Sequence, residues 1–139
     1  AQWLCGSLVV YRCDSKTQWL GIPADLLTDR HVGAVSREVS RMLAIRALTV
    51  TPEAHLAVAV TGDVGPGAAA ETDGRVFFAG QFRDSGLVEL SSVLESPVPK
   101  SDRDIDGRIG RLEEATDRVL RFTIEAIRNL QATRAIGPQ

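Results

Sequence analysis

The sequence predicts an α/β domain: three α/β/α layers around a mixed β-sheet, spanning residues 1–139 as a single unit. One observation behind this is "AHLAVAV", residues 54–60, a strand-length apolar run without polar alternation. Such a run suits a strand covered on both faces, as in sheets flanked by helices. Another is a pair of segments with apolar residues at helical spacing, "GAVSREVSRMLAIRAL" and the stretch from Asp104 to Leu130. The third is the order strand, helix, strand, hairpin, helix, which is the order of a layered α/β fold. A chain of 139 residues is long enough for one hydrophobic core.

Taken along the chain, Leu4 to Tyr11 is β-branched and apolar and predicts a short buried strand. Cys5 and Cys13 flank it, are too few for a disulfide framework, and are expected to pack as small apolar side chains. "YRCDSKTQWLGIP" follows as a loop, and a short helix is predicted to start near Pro23, where proline is tolerated. Ser36 is a good helix N-cap, with Glu38 in the first turn where the helix dipole favours a carboxylate. Val35, Val39, Met42, Leu43 and Ala47 form the apolar stripe of that helix. "RVFFAGQF" and "LVELSSVLE" predict two strands joined by a hairpin turn at "RDSG". After a proline-containing linker comes the last helix, with Ile109, Leu112, Thr116, Val119, Thr123, Ile127 and Leu130 along one face. Gly107 and Gly110 weaken its first turns, and "AIGPQ" is expected to fray.

Composition excludes several classes of function. Apolar content of 44% and charged content of 24% are ordinary globular values. A net charge of −2 gives no basic excess, and acids such as Asp102, Asp104 and Glu113 offset the arginines of the last third, so no nucleic-acid partner is expected. His31 and His55 have no ligand-spaced neighbours, so no metal is expected, and no cofactor. Without a signal peptide, lipidation motif or long apolar span, the expectation is a cytoplasmic protein with no membrane partner.

Two motifs carry chemistry. "VAVTGDVGPG" is a strand ending in a glycine-rich loop, where backbone N–H groups can approach a phosphate or oxyanion. It is neither a Walker A loop nor G-x-G-x-x-G, and Asp63 suits an anion cradle only if its side chain points away. A flexible loop closing a strand explains it equally well. Tyr11 and Lys16 form the second motif: a lysine of lowered pKa serves as general base for a serine, and a tyrosine relays or donates a proton. An exposed lysine in a turn is the plainer alternative.

In this order and spacing, "GSLVVYRCDSKTQWLGIP", "GAVSREV", "VTGDVGPG" and "GRVFFA" resemble the C-terminal domain of the CinA family, the nicotinamide-nucleotide amidases. Gly33-Ala34-Val35-Ser36 match that family's G-A-V-S outright, Thr61-Gly62 and Gly65-Pro66-Gly67 keep its loop, and Tyr11 and Lys16 keep its five-residue offset. The resemblance implies hydrolysis of the carboxamide of nicotinamide mononucleotide to nicotinate mononucleotide and ammonia. It implies Lys16 as base, Tyr11 as relay and Thr61 beside the reacting group. Gly62, Gly65 and Gly67 would hold the nucleotide, and Arg103, or in its place Arg108 or Arg111, its phosphate. It also implies a homo-oligomer. The family's serine-bearing A-E-S-C-T-G-G stretch has no match here, and Asp63-Val64 replaces Ile-Ala. The domain is therefore expected to be incomplete at its N-terminus, with the serine supplied from upstream. The alternative is a non-catalytic nucleotide-binding or oligomer-building relative.

Overall fold

The computed structural model describes residues 3–101 and 103–135, with side chains given up to Asn129 and at Gln131. The elements are α1 (Cys13–Leu20), α2 (Ala24–Thr28), α3 (Arg37–Val50), β1 (Leu56–Gly62), β2 (Arg75–Phe82), β3 (Leu87–Val93) and α4 (Ile105–Ala135). The α/β class is as expected. The sheet is three-stranded and antiparallel in the order β1-β2-β3, rather than mixed. The chain divides into two compact units, residues 1–62 with 77–91, and residues 63–76 with 92–139.

The first unit is organised by two helix ends. Gly21 adopts φ +64°, and its N–H bonds Thr17 O while that of Ile22 bonds Lys16 O, so glycine closes α1 in the left-handed conformation. Pro23 follows and starts α2. At α3, the Ser36 hydroxyl accepts the Val39 N–H at 3.2 Å, as the N-cap reading anticipates. The C-terminal carbonyls of α3 are closed by Arg83, whose guanidinium donates to Leu48 O and Thr51 O, both at 2.9 Å. Leu20, Ile22, Leu27, Val39 and Leu43 form the core, with Val10, Leu26, Met42 and Ala59 packed against it. β1 packs on α3.

Three expectations need correction. Leu4–Tyr11 is not a strand: it joins no ladder among the described residues, and Val9 is 84% exposed. β-branched composition favours a strand only where a neighbour takes up its backbone groups, and of this segment only Val10 reaches the core. Cys5 and Cys13 are consequently exposed rather than packed. The stretch from Cys13 to Leu20 is helix, not loop, because the Gly21 cap and the burial of Leu20 and Ile22 fix its end. The hairpin at residues 83–86 forms as expected, with Phe82 N–H on Gly86 O.

The second unit is built on α4 and polar ties. Asp104 accepts the Gly107 N–H at 3.1 Å and the Lys100 N–H at 2.8 Å, so the helix begins at Ile105 despite Gly107 and Gly110. Arg111 is almost wholly buried and forks onto Asp73 at 2.7 and 2.8 Å, while its Nε reaches Pro97 O at 3.2 Å. Glu114 accepts the N–H groups of Glu95 and Ser96 and is paired with Arg118. The face of α4 that is buried runs through Arg111, Phe122 and Ala126, not through Ile109, Leu112 and Ile127 of the face read from the sequence. Asp102, the Leu130 side chain and the "AIGPQ" end beyond Ala135 lie outside the described residues.

Candidate functional site

Lys16 lies in the second turn of α1, and the helix turns its side chain inward. The residue is 7% exposed, and Nζ donates to the backbone carbonyl of Tyr11 at 2.9 Å. Its hydrogen bonds bring it to no carboxylate, so the ammonium is stabilised by one neutral acceptor. Burial lowers its pKa from the ordinary lysine value, against a weaker upward pull from Cys13. That is the condition a lysine base requires: a fraction of neutral amine at lower pH than a solvated lysine would give. Tyr11 meets Lys16 through its carbonyl, while its side chain is exposed to solvent.

Thr61 is buried at the end of β1. Its hydroxyl donates to Ser36 O at 3.2 Å and lies 2.8 Å from the Ser40 hydroxyl, which also reaches Ser36 O and Phe77 O. This network ties the start of α3 to β1 and β2. Every hydroxyl in it has a partner, so it is a rigid polar patch within the first unit. Ser40 is absent from the sequence-based site, although the signal was present: it stands four residues after Ser36 on one helix, hence on the same face.

The glycine-rich loop belongs to the second unit from Asp63 onward. Asp63 N–H bonds Arg75 O at 3.0 Å and Gly74 N–H bonds Asp63 O at 2.9 Å, so pairing continues past Gly62. The loop proper therefore runs from Val64 to Asp73. Gly67 has φ +84° and needs glycine for that reason; Gly65 has open space around its α-carbon. The Asp63 carboxyl is half-buried, with its pKa pushed up by burial and then by the charge of Asp73. A carboxyl in that position opposes a phosphate at the first turn of the loop while it is ionised. Arg103 and Arg108 have exposed side chains suited to an anion, whereas Arg111 is committed to Asp73. Among the described residues no group of three or more potential ligands could hold a metal, and no helix is long and apolar enough to cross a membrane.

Comparison with known proteins places these features. A family model described as the CinA C-terminal domain matches residues 1–97, which include α1, the Ser36–Ser40–Thr61 network and the glycine loop. A CinA-like protein of Mycobacterium sp. (strain JLS) is 36% identical over 102 residues, covering 72% of this chain and 23% of that protein; the CinA-like protein of Mycobacterium sp. (strain MCS) gives the same figures. The chain thus spans about a quarter of the length of these curated relatives. Among solved structures, the competence/damage inducible protein CihA from Agrobacterium tumefaciens aligns with a TM-score of 0.58 and 31% identity, covering 75% of this chain and 62% of that one. The competence or damage-inducible protein from Enterobacter asburiae shares the fold at 21% identity, with a TM-score of 0.56 over 76% of this chain and 65% of its own. The chain belongs to the CinA C-terminal domain family.

Proposed function

We propose that this domain takes part in hydrolysis of the carboxamide of nicotinamide mononucleotide, with Lys16 as the general base. The observation that supports this most is the buried Lys16 amine, held by a neutral carbonyl and with its pKa lowered by burial. In the reaction, a serine Oγ attacks the carboxamide carbon while neutral Lys16 takes its proton. The protonated amine then gives that proton to the departing nitrogen, releasing ammonia and leaving an acyl ester. Water, deprotonated by the same lysine, cleaves the ester to the carboxylate and restores the serine. The family's serine-bearing stretch has no match in residues 1–139, so this reading takes its serine from outside them; Ser36 and Ser40 are engaged in the buried network. Arg103 and Arg108 are the exposed guanidinium groups for the nucleotide phosphate. The protein acts as a cytoplasmic enzyme on a small nucleotide and needs no metal or cofactor in this scheme.

One observation favours a second reading, a nucleotide-binding or assembling relative without chemistry. The Thr61 hydroxyl is spent on Ser36 and Ser40, and the Tyr11 side chain is exposed, so neither is oriented toward Lys16 by a hydrogen bond. Ammonia release from nicotinamide mononucleotide by the full-length gene product separates the two. Turnover that Lys16→Ala abolishes supports the amidase; no turnover, with the nucleotide still bound, leaves the non-catalytic reading.

A further inference from the structure

The carboxyl of Asp63 stands at the head of the glycine-rich loop, where the family's motif has isoleucine, and the fold barely uses it. Among the described residues its donor is the Thr72 hydroxyl, at 3.5 Å from Oδ2, which is longer than an ordinary O–H···O bond. Oδ1 has no donor among them. Arg111 supplies none, because both its terminal amino groups fork onto Asp73 and its Nε goes to Ser96 O and Pro97 O. Burial, ahead of the charge of Asp73, raises the Asp63 pKa, the direction expected of a carboxylate short of donors. An acceptor half-withdrawn from water without a short hydrogen bond costs free energy, which a donor on a ligand would recover. Thr72 belongs to the far end of the loop, so its bond sets the carboxyl between the loop's two ends.

The backbone beside it supplies the opposite half of a binding site. The N–H groups of Val64, Gly65 and Gly67 bond no acceptor among the described residues. A methyl group at Gly65 would meet nothing within 4 Å, so there is room for a ligand against that backbone. A two-oxygen acceptor next to free donors selects a ligand by the groups it carries. An ionised phosphate brings acceptors alone, and the carboxylate repels its charge. A pyridinium answers the charge of Asp63 but gives the N–H groups nothing to bond. A hydroxyl both donates and accepts. Two adjacent hydroxyls can give their hydrogens to the two carboxylate oxygens and accept N–H bonds themselves. If the domain acts on a nicotinamide nucleotide, as proposed above and as this inference assumes, the part with that chemistry is the ribose. We propose that Asp63, with the free N–H groups of its loop, holds the vicinal diol of the ribose and so selects ribosides over deoxyribosides.

Calorimetric binding of nicotinamide mononucleotide and of its 2′-deoxy and 3′-deoxy analogues to the full-length protein tests this. Each deoxy analogue is expected to bind the wild type at least about tenfold more weakly, the scale of one hydrogen bond to a charged group. Asp63→Ala should bring all three to within about threefold of one another. A loop merely loosened by the change would bind all three more weakly and keep their ratio. The ligand comparison on the wild type needs no variant, so it decides the matter if Asp63→Ala does not fold. Equal binding of the three by the wild type, or a ratio that survives Asp63→Ala, overturns the proposal. So does binding that ignores the hydroxyls but falls for the uncharged dihydropyridine form, which would mark an ion pair with the pyridinium. Ammonia release is read alongside. Analogues bound and deamidated like the parent overturn the ribose assignment and leave the amidase reading standing. Discrimination between them without ammonia release supports the assignment and removes the amidase reading. No binding of any of the three overturns both.

Discussion

Replacing Lys16 by methionine separates the stability of the fold from its chemistry. Methionine keeps the unbranched shape and apolar stem of lysine but removes the ammonium. In the wild type that ammonium is buried and meets only the Tyr11 carbonyl at 2.9 Å. Losing the bond costs about 1.5–3 kcal/mol at the level of a charged donor, and removing the buried charge returns a desolvation cost of similar size. The Tyr11 carbonyl sits in the exposed lead-in to α1, so water replaces its partner. The net change is expected within about 1 kcal/mol of zero at pH 7. It also carries a pH signature. Because burial lowers the folded-state pKa below the unfolded value of about 10.4, the unfolded chain binds more protons between the two. Wild-type stability therefore rises with pH on approaching about 10.4, whereas Lys16→Met lacks that rise. Urea unfolding at neutral and at alkaline pH measures both quantities. A loss above about 2 kcal/mol at pH 7 would mean that the amine is a structural tie. A stability difference unchanged by pH would mean that its pKa is not lowered.

Three further outcomes follow from the polar ties. Arg111→Ala leaves Asp73 without its fork and Pro97 O without a donor, and should cost about 3 kcal/mol in urea unfolding; a change within error would show that the pair is not formed. Thr61→Val keeps the shape but removes a buried hydroxyl bonded to Ser36 O, and should lower stability by about 1–2 kcal/mol. No loss on a denaturation curve would place Thr61 outside the network. Burial alone would raise the Glu114 carboxyl, but the Glu95 and Ser96 donors and Arg118 outweigh it and hold its pKa at about 2. A depressed carboxylate contributes stability that is full above its unfolded value and is lost as pH falls through the folded one. Glu114→Gln should therefore flatten the acid limb between about pH 4.3 and pH 2; an identical limb in the variant would argue against those bonds.

Much of the fold was legible because its signals are local. The Ser36 cap, the helix start at Pro23, the "RDSG" hairpin and the strand at residues 75–82 each depend on neighbours within a few residues. What failed depends on distant partners. Leu4–Tyr11 reads as a strand by composition, but strand formation needs a second chain segment to bond, which no local pattern reports. The apolar face read from the sequence of α4 is helical in spacing, yet which face of the helix is buried depends on the elements that dock there. Lys16 stands out in the sequence as a candidate, but its burial comes from α1, a helix that residue types alone do not reveal. Arg111 shows the converse: three arginines near one helix start look equivalent in sequence, and only the Asp73 carboxylate distinguishes the buried one.

The most direct test of the account is the turnover of nicotinamide mononucleotide to nicotinate mononucleotide and ammonia by the full-length protein, wild type against Lys16→Met, at matched folded concentration. The account predicts ammonia release by the wild type and a loss of at least about a hundredfold in the folded variant, the scale of a removed general base. Equal turnover by the two proteins, or none by the folded wild type, would contradict it.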